Sequence, residues 1–213
     1  AFIDEAGGEL PVHLEGVHLG VELGVVGLGV EGRALGLAGN DGLSGGTGDD
    51  VLDGGDGADV LDGGADGDLM FGGAEIDSLQ GGGGNDSLYG GTWGDVLDGQ
   101  GGNDVLNGED GHDQLYGGWG SDTLQGGDGN DSIQLNPLDG NDSVDGGSGI
   151  DRLTVFVADA AGGQVLDFAD SGTLGGSLWR NMERLLFQGS NTDGDSVAGG
   201  SLNDELYGYG GND

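Results

Sequence analysis

The chain has 213 residues, of which 40 are acidic and only 4 are basic, so its formal net charge is −36. Such a polyanion is repelled by nucleic-acid phosphates and by an anionic membrane surface, and its expected partners are polycations or many multivalent metal ions. The sequence has no cysteine, which excludes a disulfide framework, and no run of about 18 apolar residues that could span a membrane.

Glycine accounts for 56 residues, far above its share of roughly 7% in ordinary proteins. A glycine-rich chain loses much conformational entropy when it folds, so a hydrophobic core alone is a poor explanation for its stability. The sequence has neither an initiator methionine nor a signal peptide, and its last residues stop partway through a repeat. We therefore expect it to be a piece of a longer protein.

Residues 1–35 come before the regular repeats. Hydrophobic residues alternate with others at Val17, Leu19, Val21, Leu23 and Val25, and alternation is typical of a β-strand with one buried face. This segment is predicted to form lead-in strands that continue or cap the structure built by the repeats.

Residues 36–154 form the main repeat block and can be cut every nine residues, as in GGTGDDVLD at 45–53 and GGDGADVLD at 54–62. An insertion of two residues near Asn136 lengthens one unit. Counted from the first glycine, position eight is aliphatic or methionine in all thirteen units, and position six is always aspartate. The position-six residues are Asp41, Asp50, Asp59, Asp68, Asp77, Asp86, Asp95, Asp104, Asp113, Asp122, Asp131, Asp142 and Asp151.

The repeat predicts a coil of two nonapeptides, or about 18 residues. Positions seven to nine are predicted to form a three-residue strand with position eight pointing inward, and the other six residues a turn in which glycine supplies positive φ. Aspartates 18 residues apart then stack at about 4.8 Å in two ladders, one starting at Asp41 and one at Asp50. Adjacent carboxylates about 5 Å apart repel by roughly 3 kcal/mol at an effective dielectric of 20. Without metal, the stack should not close.

A divalent ion between adjacent coils would reverse this repulsion. The turns offer carboxylates and backbone carbonyls, an all-oxygen set that suits Ca²⁺. Zinc or copper would require His or Cys ligands, which the loops lack except for His112. The sequence therefore predicts calcium as the cofactor, the aspartates as its ligands, and folding that depends on it.

Residues 155–189 interrupt the period. Strand-like runs occur at 155–157 and 165–168, and 177–187 is the one stretch that predicts a helical or capping turn. A second, truncated repeat block follows at 190–213. Its position-six residues Asp195, Asp204 and Asp213 are further predicted metal ligands.

The units match GGxGxDxUx and resemble the repeats-in-toxin (RTX, hemolysin-type) calcium-binding nonapeptide over residues 36–154 and again over about 190–213. The resemblance implies an all-β fold, a right-handed parallel β-roll (β-solenoid) with about 18 residues per turn. It also implies that one loop provides the carbonyls of positions two and four, and the next loop those of positions one and three. The implied backbone ligands include Gly46, Gly48, Gly55, Gly57, Gly63, Ala65, Gly81, Gly82, Gly83, Gly84, Gly117, Trp119, Gly127 and Gly129.

The gaps between successive aspartates, six in one ladder and five in the other, predict about 11 calcium ions in the main block. Position four is Asp66, Glu75 or Trp93 where the family pattern has glycine. Loop 72–77 has no compensating glycine beside Glu75, so we expect ion binding to be weakest there.

The predicted function is that of a calcium-binding structural module of a secreted protein, associated with type I secretion and folding on calcium outside the cell. No catalytic residue is predicted, and the chain itself is not expected to be an enzyme; the GxSxG match at 42–46 lacks the strand-to-helix setting of a nucleophile elbow. Two alternatives remain open. The chain could be an adhesive or carbohydrate-binding module, or an accessory domain of a larger secreted protease, lipase or polysaccharide epimerase.

Several aromatic residues are expected on the outside of the roll. Phe71 and Tyr89 lie 18 residues apart at position nine and should stack on one sheet face, while Tyr116, Trp93 and Trp119 are also expected to be exposed. Sugar-binding surfaces use such aromatics, but an ordinary cross-strand pair has the same pattern, and we favour the structural interpretation.

Overall fold

The structure of the chain is a computed structural model, which describes residues 13–15, 32–135, 140–156, 165–167, 171–174, 177–180, 184–188, 196–198 and 205–207. Every regular element in these ranges is a β-strand. The strands are β1 His13–Glu15, β2 Arg33–Ala38, β3 Gly42–Thr47, β4 Val51–Asp56, β5 Val60–Ala65, β6 Leu69–Ala74, β7 Ser78–Gly83, β8 Ser87–Thr92, β9 Val96–Gly101, β10 Val105–Gly111, β11 Gln114–Tyr116, β12 Thr123–Gly129, β13 Ser132–Leu135, β14 Ser143–Ser148, β15 Arg152–Phe156, β16 Val165–Asp167, β17 Ser171–Leu174, β18 Ser177–Arg180, β19 Arg184–Gln188, β20 Ser196–Ala198 and β21 Glu205–Tyr207.

The main block is a parallel β-solenoid in which consecutive strands alternate between two sheets. One sheet has the order β1-β2-β4-β6-β8-β10-β12-β14-β18-β17, and the other β21-β19-β15-β13-β11-β9-β7-β5-β3. From β2 to β15, neighbouring strands of each sheet are two places apart along the chain and pair in parallel; Leu52 pairs with Met70, for example, and Leu61 with Leu79. The roll makes about seven turns of about 18 residues each. The predicted β-solenoid and its coil length are confirmed.

Most strands of the block are longer than predicted. A typical strand such as β5 covers positions seven to nine and continues over the two glycines and position three of the next unit, which leaves only positions four to six as the turn. The predicted three-residue strand and six-residue turn are therefore wrong. Glycine is a poor strand former, but here the next coil pairs with its backbone, as Gly55 does with Gly73, and this satisfies its hydrogen-bonding groups.

Strand alternation explains which residues face inward. Positions six, eight and one are two residues apart, so their side chains point to the same side of the strand. In the unit around β5, Asp59, Leu61 and Gly63 are buried, whereas Val60 and Asp62 between them are exposed. The roll thus has carboxylates at its turns and a narrow row of aliphatic side chains between its sheets.

The hydrophobic core contains one position-eight side chain per strand, as predicted. Met70 and the leucines from Leu52 to Leu124 at this position are 0% exposed. At two strands position one is not glycine, and Leu135 and Val155 add their buried side chains to the core there. The core is one residue wide, so interactions outside it must contribute to stability.

Strands also occur on both sides of the main block. Strand β1 pairs in parallel with β2, which runs across residue 35 into the first repeat. The helical or capping turn predicted at 177–187 is wrong where that stretch is described, because Ser177–Arg180 and Arg184–Gln188 are strands. These strands pair with β14 and β15, whose backbone groups would otherwise form open sheet edges. Within the described ranges, no helix is long and apolar enough to cross a membrane.

Candidate calcium site

The position-six aspartates form the two predicted ladders. In each pair the backbone N–H of one aspartate donates a hydrogen bond to Oδ1 of the aspartate in the next coil, as Asp59 does to Asp77 at 2.7 Å and Asp68 to Asp86 at 2.8 Å. The two-residue insertion only changes the separation from 18 to 20, and Asp131 still bonds to Asp151 at 2.9 Å. All thirteen aspartates are buried, with at most 4% exposure. The structure therefore brings together the whole predicted set from Asp41 to Asp151.

The second oxygen of these carboxylates has a different environment. Oδ2 is buried and has no hydrogen-bond partner in ten of the ladder residues: Asp41, Asp50, Asp59, Asp68, Asp77, Asp86, Asp95, Asp104, Asp113 and Asp131. A buried carboxylate oxygen with no partner is strongly destabilising. Its regular recurrence indicates that a cation is the missing partner.

A small space lies beside each unpartnered oxygen because position one is glycine. A Cβ atom added to Gly90 would lie 2.6 Å from Oδ2 of Asp95 and 2.8 Å from the carbonyl oxygen of Gly108 in the next coil. A Cβ on Gly45 would lie 2.6 Å from both Asp50 Oδ2 and the Gly63 carbonyl oxygen. The absent side chain leaves room where a carboxylate and a carbonyl of successive coils converge.

Other carbonyls also point into the gap between coils. The oxygens of Gly46 and Gly55 at position two are directed at the next coil, as are those of Gly84 and Gly129 at position four. The position-one oxygens point back towards the preceding coil, like that of Gly63. This is the arrangement that the family resemblance implies, in which one loop contributes positions two and four and the next loop position one.

The remaining implied backbone ligands have mixed outcomes. Gly81 and Gly117 repeat the position-one geometry and Gly127 that of position two. The Trp119 carbonyl also points back, but it already accepts a hydrogen bond from Gly102 N–H at 2.8 Å. The assignments of Gly48, Gly57, Ala65, Gly82 and Gly83 stay predictions, and Asp195, Asp204 and Asp213 lie outside the described residues.

These oxygens fit calcium better than a transition metal. Nowhere in the described part of the chain do three His, Cys, Asp or Glu side chains converge on one point. A bound ion would therefore need backbone carbonyls to complete its shell, and calcium accepts six to eight such oxygen ligands. Calcium, when bound, would supply the positive charge that the buried carboxylates lack.

Residues that replace glycine keep the backbone of the loop. Glu75 has φ of 78°, Asp66 of 75° and Trp93 of 88°, all in the left-handed region that glycine adopts at this position. Loop 72–77 also retains the space at position one, since a Cβ on Gly72 would lie 2.6 Å from the Gly90 carbonyl oxygen. Its geometry matches that of its neighbours, and the weaker ion binding expected there stays a prediction.

Burial changes the acidity of the ladder. Desolvation is the largest cause and the neighbouring ladder carboxylates a smaller one, and together they raise the pKa of Asp77, Asp95 and Asp104 to about 7. The same causes raise the pKa of Asp68 and Asp131 to about 6. In each case the N–H of the preceding aspartate lowers the pKa in part. The metal-free roll thus favours protonated carboxyl groups, while a cation between the rungs would favour the charged form.

The sequence analysis missed a further set of hydrogen bonds between coils, made by the side chains at position five. The Asn85 side-chain oxygen accepts a hydrogen bond from Asn103 N–H at 2.7 Å, and that of Asn103 accepts one from Ser121 N–H at 2.8 Å. His112 does the same through Nδ1 for Asn130 N–H at 2.8 Å. These bonds hold successive turns together beside the carboxylates. The recurrence of asparagine at position five could have revealed them.

A comparison with known protein families agrees with this geometry. The RTX calcium-binding nonapeptide repeat (4 copies) matches residues 35–70, 62–92, 94–124, 116–153 and 190–213. The matches cover the complete aspartate ladder and the second repeat block. A comparison with curated proteins found no match.

Proposed function

The chain belongs to the RTX calcium-binding nonapeptide repeat family, and on that premise we propose that it is a module of a secreted protein that folds when it meets calcium outside the cell. Repeats of this family bind calcium and are typical of secreted proteins. In this proposal the chain leaves the cell unfolded, through type I secretion, and closes into the roll where calcium is abundant.

The observation that carries the proposal is the row of buried Oδ2 atoms without hydrogen-bond partners. From Asp50 to Asp113 the ladder carboxylates hold the preceding turn through Oδ1 and have Oδ2 left for a cation. Six gaps in one ladder and five in the other correspond to about 11 ions. Their charge would reduce the formal net charge of −36 to about −14.

Three sets of residues contribute to folding in different ways. The aspartates orient the turns and hold negative charge at Oδ2. The glycines at position one leave room for an ion, and the position-eight side chains exclude water between the sheets. Because each coil pairs only with its neighbours, closing one gap fixes a ligand of the next. Folding should therefore be cooperative along the roll.

We propose that this module is not itself catalytic. Its carboxylates occupy positions where calcium would hold them ionised, and an ion-bound carboxylate is a poor general acid or base. A protease, lipase or polysaccharide epimerase activity, if the longer protein has one, would then lie outside this chain.

Circular dichroism of the metal-free chain tests the proposal. After treatment with EDTA at pH 7.5 we expect a largely disordered spectrum, and calcium at about 10⁻⁴–10⁻³ M should restore β-structure in one steep transition. Magnesium is the control, because it requires smaller, near-octahedral sites and should not replace calcium at the same concentration. A β-spectrum that survives complete removal of calcium, verified by elemental analysis, would contradict the proposal.

A further inference from the structure

An open groove of about 430 Å³ lies on the ten-stranded sheet. Phe71 and Tyr89 line it together with the glycines at 73, 90 and 91. Thr92, Glu109 and Asp110 contribute its polar groups. No basic side chain lines this groove.

The groove follows from the register of three strands. Phe71 pairs with Tyr89 at position nine, and their rings stack with centroids 5.2 Å apart and planes 17° from parallel. At position two, Gly73 pairs with Gly91, so the surface beside the rings lacks side chains. In the next coil Glu109 replaces glycine at position two and pairs with Gly91, which places a carboxylate in line with the glycines.

The Phe71–Tyr89 stack by itself is an ordinary cross-strand pair. A cross-strand pair does not require an open groove beside it, so the groove needs a separate explanation. Phe71 remains 37% exposed, so an aromatic surface stays in contact with water. The carboxylates of Glu109 and Asp110 lie on the same groove, and Glu109 keeps a left-handed backbone with φ of 71° at a position where glycine would be free of strain. Apolar rings and carboxylates therefore face one common space.

Charge restricts what this space can bind. The chain carries −36, and about −14 would remain with 11 calcium ions bound. An anionic ligand such as a uronate polymer would be repelled by the whole molecule and by the two carboxylates of the groove. A protonated amine would be attracted by the carboxylates and by the aromatic rings through a cation–π interaction.

We propose that this groove binds an amino-sugar unit of a cationic polysaccharide. A pyranose ring has an apolar C–H face, which can pack on the aromatic rings, and hydroxyl and ammonium groups around its edge. In this proposal one such unit contacts the rings, the Thr92 hydroxyl and the two carboxylates at once. A lysine side chain has an ammonium group but no hydroxyl groups for Thr92. The inference is independent of calcium-gated folding, apart from needing the folded roll.

Calorimetric titration of the calcium-loaded chain with a β-1,4-linked glucosamine tetramer, at about 0.15 M salt to screen non-specific attraction, tests the proposal. The N-acetylated tetramer, a tetramer of uronic acid and tetralysine are titrated in parallel. We expect the glucosamine tetramer to bind most tightly. Tyr89→Ala should weaken it about tenfold, and Tyr116→Ala, on the other sheet, should leave it unchanged. Glu109→Gln should weaken the cationic tetramer but not the neutral one.

Calcium-dependent circular dichroism of each variant shows whether the roll still forms, so a folding defect is distinguishable from lost binding. Equal binding by the N-acetylated tetramer, or tighter binding by tetralysine that Tyr89→Ala weakens, would overturn the proposal in favour of a neutral sugar or a basic peptide. Binding that Tyr89→Ala leaves unchanged would overturn it too, as non-specific attraction to a polyanion.

Discussion

The backbone N–H of Asp77 donates a 2.8 Å hydrogen bond to Oδ1 of Asp95 in the next coil, while Oδ2 of Asp95 is buried with no hydrogen-bond partner. One carboxylate therefore has two separate tasks. Oδ1 holds the preceding turn in register, and Oδ2 is left to bind a cation. Substitutions that affect one task and spare the other can separate structural from metal-binding contributions.

Replacing Asp95 by Asn keeps an oxygen that can accept the Asp77 N–H but removes the charge. Asp95 borders two gaps of its ladder, towards Asp77 and Asp113, whereas Asp41 borders only the gap towards Asp59 in the described part of the ladder. We expect Asp95→Asn to raise the calcium midpoint of folding about tenfold, and more than Asp41→Asn does. Equal shifts for the two variants, measured by circular dichroism during calcium titration, would argue against ions shared between successive coils.

The space at position one can be filled directly. Gly90→Ala places a Cβ 2.6 Å from Asp95 Oδ2 and 2.8 Å from the Gly108 carbonyl oxygen, whereas a Cβ on Gly83 meets nothing within 4 Å. We expect Gly90→Ala to lower the number of bound calcium ions and Gly83→Ala to leave it unchanged. Equilibrium dialysis with calcium quantification measures both. If the two variants bind equal numbers of ions, the space at position one is not part of the site.

The aliphatic row has its own matched pair of variants. Leu97 is 0% exposed and lies between Leu79 and Leu115 in the sheet, while the adjacent Val96 points to the other face. Leu97→Asp buries a carboxylate away from the ladders at a cost of several kcal/mol, so we expect calcium stoichiometry to fall by several ions. Val96→Asp should change it little. Calorimetric titration that finds the two variants alike would show that position eight is not the core position.

A low pH should partly substitute for calcium in stabilising the folded roll. Burial raises the pKa of Asp77, Asp95 and Asp104 from the ordinary value of 3.8 to about 7 in the metal-free roll, so between pH 3.8 and about 7 the folded chain binds more protons than the unfolded chain. Stability of the metal-free roll should therefore be greatest below pH 4 and fall as the pH rises towards 7. We expect the EDTA-treated chain to gain β-structure on acidification from pH 7.5 to 4.5. A circular dichroism spectrum independent of pH over this range would contradict the raised pKa values.

In the calcium-loaded chain, protonation of the same carboxylates should weaken calcium binding. Protons compete with calcium for the ladder carboxylates, so calcium affinity should decrease as the pH falls through about 7 and 6. Calcium titrations at pH 7.5 and 5.5 compare the two conditions.

The nine-residue period alone predicts the coil, the two aspartate ladders and the core. Asp95 and Leu97 recur at fixed places in a period of nine, and a strand's alternation then requires both to face inward in every unit. The helical turn expected at 177–187 is wrong where that stretch is described, because pairing with the open sheet edges at β14 and β15 outweighs local preference there.

The packing of successive coils specifies which interaction each atom of a residue makes. The division of Asp95 into a structural Oδ1 and an unpartnered Oδ2, the pairing of glycines that lengthens the strands, and the Asn85 bond to the next turn all depend on a coil 18 residues away. So does the groove, which requires Phe71, Tyr89 and Glu109 from three successive coils of one sheet. A nine-residue period specifies which residue types recur, but hydrogen-bond partners and cavities depend on the distances between coils, which are set when the sheets pack.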